Sequence, residues 1–218
     1  MKVSMLQRSA AAALALSTLL PNTTLAQSNQ EEPEPSDAQV QSGEPDAETP
    51  DLDELESFTI PGEPHELLAT TVGSWDVTIR IWSDPNPEAE PTSETEGTAV
   101  GRWILGKRFV ETVYEGEVLG RPFEGLKIEG FEKAIEKYVS TWRDNLGTYT
   151  LVFKGECEDT CRERTMTGTF TDPVSKLPFR LKGVTTIEDE DNYTYQSFVI
   201  TPNGQEFKNM ELEARRRD

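Results

Sequence analysis

Hydropathy marks three stretches: a mainly apolar run from Ala10 to Leu20, a polar stretch from Gln27 to Glu56, and alternation from Gly73 onward. The clearest alternation is GSWDVTIRIW at 73–82. Trp75, Val77, Ile79 and Ile81 fall on one side, and Asp76, Thr78, Arg80 and Trp82 on the other. A period of two marks a strand with unlike faces. The pattern predicts ten strands, at 74–82, 93–103, 107–117, 122–131, 136–143, 147–156, 161–170, 178–188, 193–200 and 206–216. Turn chemistry separates them, as in Asp84-Pro85-Asn86-Pro87, Asp144-Asn145-Leu146-Gly147 and Pro202-Asn203-Gly204. Ahead of the first strand, PHELLATT at 64–71 predicts a short helix, with Pro near its start and Gly73 past its end.

Evenly spaced strands with short connections predict an antiparallel meander, and closure leaves no unpaired edge. The expected fold is therefore all-β, an up-and-down barrel of about ten strands with the short helix closing one end. A barrel of about eight strands is filled by its own side chains, and a wider one leaves room for a ligand. Three strands carry a mixed aromatic and hydroxyl face: Tyr138, Ser140 and Trp142; Tyr193, Tyr195, Ser197 and Val199; Val110, Thr112 and Tyr114. Such faces suit a small hydrophobic ligand held by a few hydrogen bonds. Tyr114, Tyr138, Trp142 and Tyr195 are the candidate ligand-binding residues. The competing reading is that these rings fill the barrel or face solvent, because alternation does not say which face points inward.

The N-terminus changes the picture of the compartment. Lys2 and Arg8 precede the apolar run, and Thr24-Leu25-Ala26 follows Pro21, the pattern of a secretory signal peptide over 1–26. The apolar run is shorter than the roughly 20 residues of a membrane span, so no integral membrane segment is expected after cleavage. A bacterial protein, periplasmic or secreted, is the expectation. From Gln27 to Glu56 the chain holds eleven acidic residues, four prolines and no basic residue. Segment 27–57 is therefore read as a disordered acidic linker, and 58–218 as one barrel domain.

The chain has 40 acidic and 21 basic residues, and the processed form 40 against 19, a net charge of −21. That sign disfavours nucleic acid and anionic membranes as partners. It serves solubility, or alternatively the capture of cations or a basic partner by the linker.

Cys157 and Cys161, in GECEDTCRE, are the only cysteines. In an oxidising compartment they read as a disulfide across a hairpin end, with a redox-active pair or two metal ligands as alternatives. A metal needs further donors, and the single histidine, His65, lies far off in sequence on the helix. His65 is either a residue at a helix end or a catalytic group titrating near neutrality. Arg143-Asp144 reads first as the opening of a turn and second as a charge pair steering a substrate. Glu188-Asp189-Glu190-Asp191-Asn192 lacks the Gly and distal Glu of a calcium loop and reads as a charged hairpin tip. Nucleophile elbows, zinc-protease helices and phosphate-cradling loops do not occur in the sequence.

The segments HELLATTVGSWDV, LGKRFVETVYEG, RPFEGLKIEGFEKAIEKYVSTWRDNLGT, GTFTDPVSK and MELEARRR together carry a resemblance. They resemble the lipocalin-like family catalogued as domain of unknown function 1579, within the calycin group of barrels, over nearly all of residues 62–217. The resemblance implies a ligand-sized barrel and, by analogy only, carriage of small hydrophobic molecules. In calycin barrels the Trp of Gly-x-Trp plugs one end beneath an Arg of the last strand. By period two that Arg is Arg216, so Trp75 and Arg216 are the expected structural closure. Related barrels that bind haem use a histidine late in the chain, where this sequence has none, and no cofactor is expected. Three functional classes stand: small-molecule binding, acid–base enzymology inside the barrel, and a protein-interaction module.

Overall fold

The computed structural model describes residues 52–217 apart from 119, 158–160, 174 and 202. The expected signal peptide and most of the acidic linker lie outside the described residues. Helix α1 covers Leu52–Thr59, so helical structure enters the last residues assigned above to the linker. Its sequence, LDELESFT, has no Pro or Gly and is rich in Leu and Glu, both good helix formers. The compact unit that holds the barrel begins at Pro61.

Helix α2 (Glu63–Glu66) and a 3-10 turn (Leu67–Thr71) replace the single short helix expected at 64–71. Pro64 lies in the first turn of α2, where a missing N–H costs nothing. Ten strands follow: β1 Gly73–Ile81, β2 Ser93–Ile104, β3 Phe109–Val118, β4 Arg121–Glu132, β5 Lys137–Asp144, β6 Leu151–Cys157, β7 Glu163–Thr171, β8 Pro178–Ile187, β9 Asn192–Ile200 and β10 Glu206–Arg216. Each pairs antiparallel with its sequence neighbours, and β1 pairs with β10 to close the barrel. The Trp75–Arg216 pairing sets the register of that closure.

One end of the barrel is plugged. Trp75 is buried, its indole N–H donates to the Thr71 carbonyl at 3.2 Å, and its ring meets Tyr193 edge-on at 4.8 Å. Arg216 lies over the same indole, 4.2 Å from guanidinium carbon to ring centroid. The guanidinium also donates to the carbonyls of Val72 and Glu190 at 3.1 and 2.8 Å. Gly73, at φ 135°, permits this crossing, because a Cβ there would collide with the Arg216 guanidinium. The Gly-x-Trp pattern is thus a clearance rule: the glycine leaves the path along which the arginine reaches the tryptophan.

His65 belongs to the same plug. It is buried, its Nδ1 accepts the Gly62 N–H at 3.1 Å, and its ring packs edge-on against Phe131. Burial, with Lys133 nearby, holds its pKa below the usual value. A disulfide joins Cys157 and Cys161, with Cα atoms 4.8 Å apart.

Candidate functional site

Beyond the plug the barrel holds a cavity of about 160 Å³. That is close to the roughly 150 Å³ apolar cavity known to admit benzene. Two apolar clusters face each other across the lumen: Leu151, Phe153, Met166 and Phe170 on one side, and Ile79, Tyr114, Tyr193 and Leu212 on the other. All eight line the cavity. Space remains between them because ten strands make a wide cylinder and several inward positions are small, including Ser140, Gly183, Thr185 and Ser197.

The three mixed faces noted in the sequence all turn inward. Tyr114, Trp142 and Tyr195 line the cavity. Trp142 packs between Tyr114 and Phe123, with ring centroids 5.4 and 6.3 Å away. A Cβ on Gly125 would stand 2.6 Å from the Trp142 ring, so that glycine gives the indole its place. Gly183 does the same for Tyr195, whose hydroxyl would lie 2.6 Å from an added Cβ. Burial pushes the hydroxyls of Tyr114, Tyr193 and Tyr195 upward in pKa, so all three stand as neutral phenols.

Tyr138 goes elsewhere. It sits on the plug side of β5 and is absent from the cavity wall. Its hydroxyl donates to the Pro64 carbonyl at 3.1 Å, and the disulfide sulfurs lie 3.7 and 3.9 Å away. Tyr138 therefore ties α2 to the β6–β7 turn. Its position two residues before Ser140 carries it one step deeper along the same inward face, past the floor of the cavity.

Arg143 is exposed on the outside of the barrel. Asp144 lies at the cavity mouth, where it accepts hydrogen bonds from the Trp142 indole and the Tyr149 hydroxyl, both at 2.8 Å, and from the Leu146 N–H at 3.0 Å. The turn reading of Asp144 therefore describes its backbone contact, and the two aromatic donors add an anchor for the rim. At the 188–192 hairpin, the Asp189 carboxylate caps the Asp191 N–H and the Asn192 side chain.

Sequence reasoning missed the charged floor. Lys127 and Glu129 on β4 both point into the barrel, and Lys127 Nζ lies 2.7 Å from Glu129 Oε2. From β7, across the lumen, Arg164 Nε approaches Glu129 Oε1 at 3.2 Å. Arg164 is 1% exposed and stacks over Tyr138, its guanidinium carbon 5.3 Å from the ring centroid. Burial raises the Glu129 pKa, but Lys127 and Arg164 together outweigh it and hold the carboxyl at about 2. The signal was available in β4: its outward positions include Leu126 and Ile128, so its charges at 127 and 129 sit where a period-two reading expects apolar side chains.

Among the described residues, no cluster of three or more His, Cys, Asp or Glu side chains stands ready for a metal ion. Nor does any described helix have the length and apolarity to cross a membrane.

The barrel resembles known structures. Rv2717c from M. tuberculosis matches over 73% of this chain and 100% of its own, at 14% identity and a TM-score of 0.53. The S-type phycobiliprotein lyase CPES from Guillardia theta matches over 78% of this chain and 98% of its own, at 14% identity and a TM-score of 0.48. At such identity the likeness to Rv2717c speaks for the fold alone. Comparison with curated proteins finds no match. The model of one family, described as a protein of unknown function (DUF1579), matches residues 60–216. With that match spanning β1 through β10, this closed antiparallel β-barrel belongs to the DUF1579 family.

Proposed function

We propose that the barrel binds a small, mainly apolar molecule in its interior, without chemical change, as an exported binding protein of the cell envelope. The cavity between the two apolar clusters carries this reading: its wall is aromatic and aliphatic, with a few hydroxyl groups and one ion pair set in it. That combination gives apolar burial for affinity and sparse polar contacts for orientation. The ionisable groups favour binding over acid–base work. Glu129 is held far below neutrality and the cavity tyrosines far above it, so neither is poised to exchange protons near pH 7. The N-terminal charge, apolar run and small-residue pattern support export, and the Cys157–Cys161 disulfide fits an oxidising compartment.

Titration of the protein with uncharged benzyl alcohol and hexanol, followed by two-dimensional NMR, tests the reading. Saturable shifts at Tyr114, Trp142, Tyr195 and Met166 are expected. Shifts confined to residues outside the cavity would sink it.

A further inference from the structure

The interior contains an imbalance of charge. Three ionised groups meet at the cavity floor, and two of them are cations. Glu129 spends one oxygen on Lys127 and the other on Arg164. The Arg164 nitrogens make no aligned hydrogen bond, and neither does Glu129 Oε1. An ammonium offers three donors and a guanidinium five, so one carboxylate leaves most of them without an acceptor. A surplus buried cation is costly unless an anion accompanies it.

Placement selects which cation faces the ligand. Arg164 lies behind Glu129, against Tyr138 and the plug. Lys127 lies on the cavity wall, its side chain 18% exposed, and donates to Glu129. Around it stand the hydroxyls of Thr112, its partner on β3, and of Tyr193 and Tyr195, which feel its charge. Thr112 Oγ1 also lacks an aligned partner, and the Tyr193 hydroxyl meets that of Tyr114. The other carboxylate on the wall, Asp144, is held by three donors of its own.

We infer that the ligand is a small monocarboxylic acid, its carboxylate seated on Lys127 at the cavity floor and its apolar body lying between the two hydrophobic clusters toward the mouth. The inference rests on the binding reading above and adds the chemistry of the ligand's polar end. A single surplus charge matches a monoanion, whereas a phosphate dianion overshoots it and an amine meets repulsion. Hydroxyl donors around the seat supply the remaining hydrogen bonds a carboxylate accepts. The cavity volume limits the body to about the size of a benzene ring or a short alkyl chain.

Isothermal titration of the unaltered protein with matched probes separates the two ideas. Benzoate and hexanoate are expected to bind about tenfold or more tighter than benzyl alcohol and hexanol, and hexylamine weakest. Acid and alcohol binding alike would overturn the carboxylate inference while leaving the apolar binding site standing. No binding by any probe would overturn both. Lys127→Met is expected to remove the preference for acid, and Lys127→Arg to keep it. A folded Lys127→Met protein, verified by near-UV circular dichroism, that retains the full preference would also overturn the inference.

Discussion

The two halves of the barrel use the same alternation of residues for opposite ends. In the plugged half the polar atoms are matched: the Trp75 indole to Thr71, the Arg216 guanidinium to Val72 and Glu190, the Tyr138 hydroxyl to Pro64, and His65 Nδ1 to the Gly62 N–H. At the cavity floor, the Arg164 guanidinium and Thr112 Oγ1 are buried without aligned partners. A half that is fully satisfied is a scaffold, because nothing in it asks for another molecule. A half with space, surplus charge and unmatched donors is built to be completed. The contrast teaches that aromatic residues alone do not mark a site, since Tyr138 and Tyr195 share a residue type, yet one hydroxyl is bound to the Pro64 carbonyl in the plug and the other ring lines the cavity.

Four changes test this division, taken from the largest expected effect. Trp75→Ala removes the plug's central ring and is expected to lower stability by about 3–5 kcal/mol in chemical denaturation. A loss under 1 kcal/mol would mean that the plug is not the scaffold. Glu129→Gln leaves Lys127 and Arg164 facing one another without their carboxylate, and a loss of about 3 kcal/mol is expected at neutral pH.

The pH dependence sharpens that second test. The Glu129 pKa is about 2 in the folded protein against an ordinary 4.5, a depressed value. Its stabilisation is therefore complete above about pH 4.5 and is lost as pH falls toward 2. The deficit of Glu129→Gln relative to the parent should shrink across that window, as denaturation midpoints at stepped pH will reveal. A deficit that stays constant to pH 2 would show that the carboxylate is not held by the two cations.

Reduction of the disulfide ranks third. Its loop is short, so the chain-entropy model gives about 2 kcal/mol, read as a fall in thermal midpoint with cavity ligand affinity unchanged. Arg216→Ala comes last at about 0.5–2 kcal/mol for a cation over an indole face. An unmoved denaturation midpoint would leave the Arg216–Trp75 contact without energetic weight.

The ten strands and their closure were legible in the sequence because alternation, turn residues and the Gly-x-Trp pattern agree on them. Observed strand limits differ from expected ones by a few residues, most at β6, which begins at Leu151 and leaves 147–150 to the connection. Tyr114, Trp142 and Tyr195 were legible as an inward aromatic face. The commitment of Tyr138 to α2 was not, since Pro64 is 74 residues away and the hydrogen bond exists only once the helix caps the barrel. The charged floor was hidden for a different reason. Alternation in β4 marks Lys127 and Glu129 as inward, but in a chain with 61 charged residues only the placement of β4 and β7 across one lumen brings Arg164 to them.

The closure of β1 on β10 has one more consequence. Gly73 and Arg216 stand side by side at the plugged end, so the barrel's two chain ends meet there. Every other connection is a hairpin between consecutive strands, which makes the ring of strands a cycle with no privileged beginning. Joining 216 back to 73 through a short linker and opening the chain at the exposed 203–205 turn would yield a circular permutant with the same ten strand pairings, without the α2 segment that carries His65 and the Thr71 carbonyl of the plug.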